Sequence, residues 1–131
     1  ITANLSALPR AQHFPLIANL ETDFYLLGWG VPTYDAEYVF NFLYHGRTEG
    51  RGSWNGTRLD DPMINEMTAS LTSNTDLEAR NQTIADLYEW ADENVIYIPI
   101  HHQVLNWGIA DGWDMVVDAD DAVKFKYFGM E

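Results

Sequence analysis

The sequence contains no cysteine, few basic residues and no long apolar stretch. Without cysteine, the chain cannot form disulfides, thiolate metal sites or a cysteine nucleophile. Seven Lys and Arg residues against twenty Asp and Glu residues give a formal net charge of -13, and a field of that sign repels the phosphates of nucleic acids. The longest apolar stretch, Val95 to Ile100, has the length of a strand and falls well short of the ~20 residues of a membrane helix. We therefore expect neither nucleic-acid binding nor a membrane span.

Large aromatic residues are abundant, with five Trp and seven Tyr in the chain. Such side chains mostly pack in cores and in interfaces between subunits. The alternative is a surface on which a small ligand stacks. Composition alone leaves both interpretations open.

Two capping patterns predict the two main helices. Asp61-Pro62 places an acid at the N-cap and proline at the first helical position, where its missing N–H costs nothing. Thr75 and Glu78 have the spacing of a capping box at the start of the second helix. We therefore expect helices near Pro62 to Ser73 and near Asp76 to Asn94.

A shorter helix and a loop precede the two main helices. Asp35 can cap a helix that runs through Leu43. Residues 45–58 contain four Gly, which predicts a long surface loop. Near the start of the second main helix Arg80 follows Asp76 by four residues, so we expect an ion pair between these two side chains.

Three longer segments have the composition of strands, and the short run from Trp113 to Val117 is a further candidate. Residues Ile1 to Leu8 alternate weakly in polarity. The segment from Phe24 to Trp29 is apolar without alternation, which is typical of a central strand buried on both faces. The segment from Val95 to Trp107 alternates, and Pro99 within it indicates an edge strand or a bulge. The predicted fold class is α+β, with the two main helices packed on a mixed sheet that contains Phe24 to Trp29.

Four segments follow one another over nearly the whole chain from Asp23 on. They are Asp23-Phe24-Tyr25-Leu26-Leu27-Gly28-Trp29-Gly30, Asp61-Pro62-Met63-Ile64-Asn65, Asp76-Leu77-Glu78-Ala79-Arg80 and Ile96-Tyr97-Ile98-Pro99-Ile100. In this order and at this spacing they resemble the carboxy-terminal quarter of bacterial extracellular solute-binding proteins of family 5, which serve peptide and nickel transport.

The resemblance implies a two-lobed α/β receptor, a type II periplasmic binding protein. Such a receptor closes on a peptide or another small solute and delivers it to the permease subunits of an ABC transporter in the membrane. Residues 1–131 are then a single fragment, of which about 1–95 completes the second lobe and about 96–131 crosses back to the first lobe. The resemblance implies no cofactor.

The resemblance also implies a location in the periplasm. The first residues contain neither a positively charged n-region nor an apolar h-region, so we expect the secretion signal to lie outside this chain. A fragment that lacks the facing lobe leaves apolar surface uncovered, and we expect it to self-associate.

Ligand contacts are implied at the loop after the predicted central strand. Trp29 and Gly30 stand where family members place the lip of the ligand cleft, and Asp35 is the nearest acid. In peptide-binding relatives, an acid that pairs with the ligand's amino terminus stands three residues after this Trp. Pro32 occupies that position here, which counts against recognition of a free peptide. Core packing for Trp29 and a structural turn for Asp35 are the alternatives.

The remaining candidate ligand contacts are His101, Gln103, Trp54 and Asn55. His101 and Gln103 share one face of the predicted late strand, at about the place where family members carry polar or aromatic ligand contacts. Trp54 and Asn55 lie in the Gly-rich loop and can contact the ligand or the other lobe. The alternatives are a solvated strand end for the first two and an exposed loop for the others.

No catalytic or metal site is predicted. His101 and His102 are adjacent on a strand and point to opposite faces, so they cannot hold one ion. The sequence has no Ser elbow, no Gly-rich phosphate loop and no His-Glu metal motif. The alternative to a transport component is a stand-alone carbohydrate-binding or interaction module. A glycosidase-like enzyme is less favoured, because it needs two carboxylates about 5–9.5 Å apart in a cleft, and the acids here fall in helix caps and turns.

Overall fold

The computed structural model describes residues 2–119 and 121–130, which form four α-helices and a small antiparallel sheet. Its contacts divide the chain into two compact units, Ile1–Tyr97 and Ile98–Glu131. The first unit holds the helices, which are α1 (Arg10–Ala18), α2 (Ala36–Val39) with a π-helical turn at Phe40–Tyr44, α3 (Pro62–Leu71) and α4 (Leu77–Asn94). No helix among the described residues is both long and apolar enough to cross a membrane.

The two main helices begin at aspartate caps. One carboxylate oxygen of Asp61 accepts hydrogen bonds from the backbone N–H groups of Met63 and Ile64, at 2.8 and 3.2 Å, and Pro62 is the first helical residue. The cap of α4 is Asp76, which accepts from Glu78 N and Ala79 N. Both predicted helices are confirmed. The predicted cap at Thr75 is wrong by one residue, because the Asp76 carboxylate takes the two N–H donors.

The core of the first unit lies where α3 and α4 pack against the π-helical turn. Ile64, Thr68 and Leu71 are the buried residues of α3, and Leu87 and Ala91 are those of α4. They enclose the three buried residues of the turn, Phe40, Leu43 and Tyr44. Asp35 caps the short helix α2 as predicted, through a 2.8 Å bond from Glu37 N.

The Gly-rich segment 45–58 is a loop, as the sequence predicts, but it lies at the surface only in part. His45 and Asn55 are buried within it. The Asn55 amide donates to the carbonyls of His45 and Leu59, and its oxygen accepts from the backbone and hydroxyl of Thr57. The Asn55 side chain therefore joins the start of the segment to Leu59, just beyond its end.

The helix α1 was not predicted, and the strand expected for residues 1–8 does not form over the described residues 2–8. Pro15 lies inside α1, and proline normally argues against a helix interior. Arg47 donates to the carbonyls of Ala18 and Ile17, and Arg58 donates to that of Leu20. These two side chains satisfy the carbonyls at the carboxyl end of the helix.

The mixed sheet expected around Phe24 to Trp29 does not form in this chain. Phe24 and Leu26 are 84% and 69% exposed, and the segment has no regular secondary structure. It is attached through Tyr25, whose hydroxyl lies 3.5 Å from that of Tyr97. The Tyr97 hydroxyl donates to Leu43 O, and burial, together with the Tyr25 hydrogen bond, raises its pKa. A strand needs a neighbouring strand, and the described residues supply none here.

The strand expected from Val95 to Trp107 does not form either. The end of α4 falls at Val95, which adopts a left-handed conformation with φ 49°. The residues that follow are irregular, and Ile98, Ile100 and Val104 are exposed. A left-handed residue turns the chain away from the helix axis. The segment that was expected to be a strand therefore begins in a turn, at Val95.

The second unit contains the sheet. Strand β1 (Trp113–Asp114) pairs antiparallel with β2 (Gly129–Met130), with Trp113 opposite Met130 and Asp114 opposite Gly129. A further antiparallel bridge joins Val117 to Val123, and a 3₁₀ turn at Phe125–Tyr127 precedes β2. The unit is a short β-ribbon.

Candidate functional site

An aromatic cluster surrounds Trp29 in the first unit. We define it as Phe14, Trp29, Tyr38, Phe42 and Trp54. Three ring centroids lie near that of Trp29. The distances are 5.8 Å to Tyr38, 6.2 Å to Phe42 and 6.1 Å to Trp54. Phe14 meets Trp54 edge to face at 5.1 Å. Two candidate residues that are 25 positions apart in sequence, Trp29 and Trp54, are thus brought into contact.

The indole N–H of Trp29 is a buried donor without a hydrogen-bond partner among the described residues. Leaving such a donor unpaired costs about 1–3 kcal/mol. The rest of the side chain is half-buried and packs against the core. Trp29 therefore combines core packing with one hydrogen-bond donor that the unit does not use.

The loop that starts at Trp29 ends at Asp35, which binds Arg80. The Nη2 atom of Arg80 lies 2.8 and 2.9 Å from the two Asp35 carboxylate oxygens, and Arg80 Nε donates to Leu71 O at 3.1 Å. The predicted pair of Arg80 with Asp76 is wrong, because Asp76 caps α4 and Arg80 reaches across to Asp35. The hydrogen bond from Arg80, and then that from Glu37 N, lowers the pKa of Asp35.

A cavity of about 340 Å³ opens beside Asp35. This volume is within the range of about 300–1,000 Å³ seen for small-molecule sites. Tyr34 lines the cavity in a left-handed conformation with φ 55°, which is rare and strained for a residue with a side chain. Tyr88 of α4 faces it. The lining residues are Val31, Tyr34, Asp35, Ala36, Val39 and Tyr88.

The other candidates are placed differently. Gly30 is exposed, and a Cβ added to it would meet no atom within 4 Å. Asn55 is 1% exposed, and its side-chain amide donates to the carbonyls of His45 and Leu59. His101 and Gln103 lie in the second unit, exposed, with His101 Nε2 3.4 Å from Gln103 Oε1. The strand that was to place them on one face is absent.

Three residues of this site were not predicted as such. Arg80 is expected to pair with Asp76, and the sequence pattern places Tyr88 only in the apolar stripe of its helix. Tyr34 carries no sequence signal beyond its place in a Gly- and Pro-containing loop. All three act through contacts between distant parts of the chain, which local patterns do not encode. Within residues 2–119 and 121–130, no group of three His, Asp or Glu side chains is placed to hold a metal ion.

Comparison of the chain with known protein families, with curated proteins and with solved structures gives no match in any of the three. The geometry of the site and the sequence resemblance therefore carry the functional argument.

Proposed function

We propose that this chain is the carboxy-terminal part of an extracellular solute-binding protein of family 5, the binding component of an ABC importer for peptides or a related small solute. The carrying observation is the ion pair of Asp35 with Arg80. Asp35 closes the loop that begins with the Gly28-Trp29-Gly30 segment, and Arg80 ends the Asp76-to-Arg80 segment. The pair thereby joins the Asp76-to-Arg80 segment to the loop that follows the Asp23-to-Gly30 segment, as parts of one structural unit would be.

The unpaired apolar segments also support the proposal. Phe24 to Trp29 and Ile96 to Ile100 both belong to the resemblance, and both expose apolar side chains without a strand partner. Exposed apolar surface of this kind usually marks an interaction surface. In a two-lobed receptor these segments pair with strands from the rest of the protein. This chain then contributes two parts of the ligand site. One is Trp29, whose indole N–H has no partner among the described residues, and the other is the cavity beside Asp35.

The proposal assigns only part of the ligand site to this chain. A pocket that buries most of a ligand needs walls on several sides, and in the proposed receptor the facing lobe supplies the others. We therefore expect the isolated chain to bind di- to pentapeptides no better than millimolar in a calorimetric titration. Micromolar binding by the isolated chain would place the complete site here and overturn the two-lobed account.

The coding sequence upstream of Ile1 tests the proposal at the level of the gene. A solute-binding protein requires a secretion signal followed by a first lobe. A coding sequence that begins near Ile1 would instead favour a stand-alone carbohydrate-binding or interaction module. The first outcome supports a transport component, and the second supports a stand-alone module.

A further inference from the structure

The second unit contains an apolar cavity of about 350 Å³ that is open to solvent. We call it the aromatic cavity, after the rings that line it. Its volume is sufficient for a small organic molecule. The side chains that define it are Trp107, Ile109, Trp113, Met115, Phe125 and Phe128.

The β-ribbon builds this cavity. Pairing of β1 with β2 brings Trp113 beside Phe128, with ring centroids 5.0 Å apart and planes 31° from parallel. Trp113 and Met115 line the cavity while the intervening Asp114 does not, which is the alternation expected of an extended chain. The bridge between Val117 and Val123 closes the ribbon at its other end.

The lining determines what class of ligand fits. Its side chains carry no carboxylate, amide or hydroxyl group, and only the two Trp indoles offer a polar N–H. A sugar needs several hydrogen-bond partners when it is buried, so this lining suits it poorly. The faces of aromatic rings carry negative electrostatic potential and attract cations, including quaternary ammonium groups.

The charges in this unit also favour a cation. The described residues of this unit carry four aspartates, Asp111 and Asp114 among them, against two lysines. Of the lysines in this unit, Lys124 pairs with Asp118, and Lys126 lies over the ring of Tyr127 at 4.5 Å. The nearby field therefore attracts a cation and repels a carboxylate.

We propose that the aromatic cavity binds an organic cation with apolar substituents, either a quaternary ammonium ion or a protonated amine. The apolar groups occupy the space between the rings, and the positive charge lies against the ring faces. The inference does not depend on the transport proposal, since it rests on the second unit alone.

Titration of the 131-residue chain with matched probes tests the charge preference. Choline and 3,3-dimethyl-1-butanol have nearly the same shape and differ in charge, and phenylacetate supplies an anion with an aromatic ring. Calorimetry and Trp fluorescence should give choline a dissociation constant at least about fivefold lower than that of the neutral alcohol, with no binding of phenylacetate. Equal binding of the two isosteres, or preferential binding of glucose, would overturn the proposal.

Variants assign the binding to this cavity. Phe125 is 79% exposed, so Phe125→Leu removes a ring without disturbing a core. We expect it to weaken choline binding at least about threefold, while Phe24→Leu, an equally exposed change in the first unit, leaves it unchanged. The double variant Asp111→Asn and Asp114→Asn should weaken choline and leave the neutral alcohol unaffected. Choline binding that withstands both cavity variants would contradict the assignment.

Discussion

Arg80 and Asp35 are 45 residues apart in sequence, and the Nη2 atom of Arg80 lies within 2.8 and 2.9 Å of both Asp35 carboxylate oxygens. The same carboxylate caps α2 through Glu37 N, and the Nε of the same arginine binds Leu71 O at the end of α3. The pair thus joins the loop after Trp29 to both main helices. The position of the candidate site depends on this contact.

A double-mutant cycle should detect this ion pair. Asp35→Asn keeps the capping oxygen and removes the charge. Asp35 is 40% exposed and Arg80 16% exposed, so we expect a coupling free energy of about 1 kcal/mol with Arg80→Gln in urea unfolding. Asp76→Asn is the matched control, because the Asp76 carboxylate caps α4 and only the backbone carbonyl of Asp76 bonds Arg80, at its N–H. Coupling of Arg80 to Asp76 in place of Asp35 would contradict the structure.

The contribution of Asp35 should depend on pH in one direction. Because its pKa is lowered in the folded protein, folding favours the ionised carboxylate. The unfolded chain takes up the proton first, near pH 3.9, so the stabilisation is present in full at neutral pH and is lost as the pH falls through the folded pKa. We expect the stability difference between wild type and Asp35→Asn to shrink below about pH 4. In an Arg80→Gln background this pH dependence should be much smaller.

Gly52 and Gly50 offer a matched test of the segment 45–58. Both have positive φ, 63° and 86°, but a Cβ on Gly52 would collide with the carbonyl oxygens of His45 and Gly46, whereas open space surrounds Gly50. Gly50→Ala should lower the free energy of unfolding by about 1 kcal/mol. Gly52→Ala should lower it by about 2 kcal/mol more, since the backbone must move. Equal losses in urea unfolding would mean that the segment is as open as its sequence suggests.

The features that sequence predicted are those fixed by neighbouring residues. Asp61 and Asp35 cap helices through N–H groups two or three positions away, so their roles follow from local pattern. The burial of Asn55 depends on carbonyls brought together by the fold, and the partner of Arg80 lies 45 residues away. Phe24 to Trp29 has the composition of a strand, but a strand also needs a partner. Sequence pattern alone gives no information on whether that partner is present.

The isolated chain should self-associate. Phe24, Leu26 and Ile100 are exposed large apolar residues on segments without a strand partner, and both apolar area and free strand edges favour pairing with a second copy. The charge of -13 opposes association, but 150 mM salt screens it over about 8 Å. Sedimentation velocity at micromolar concentration should show dimers. Phe24→Asp with Leu26→Asp should return the chain to monomer, whereas Glu66→Lys, on the exposed surface of α3, should not.

Amide hydrogen exchange at Tyr25 to Trp29 and at Tyr97, Ile98 and Ile100 measures whether these segments are strands of a larger receptor. The measurement compares the 131-residue chain, kept monomeric by dilution, with the protein made from its whole coding sequence. If the chain is part of a two-lobed binding protein, these amides exchange rapidly in the isolated chain and become strongly protected in the longer protein, where neighbouring strands accept their hydrogen bonds. Equally rapid exchange in both proteins would contradict the proposal that these segments are strands of a larger receptor.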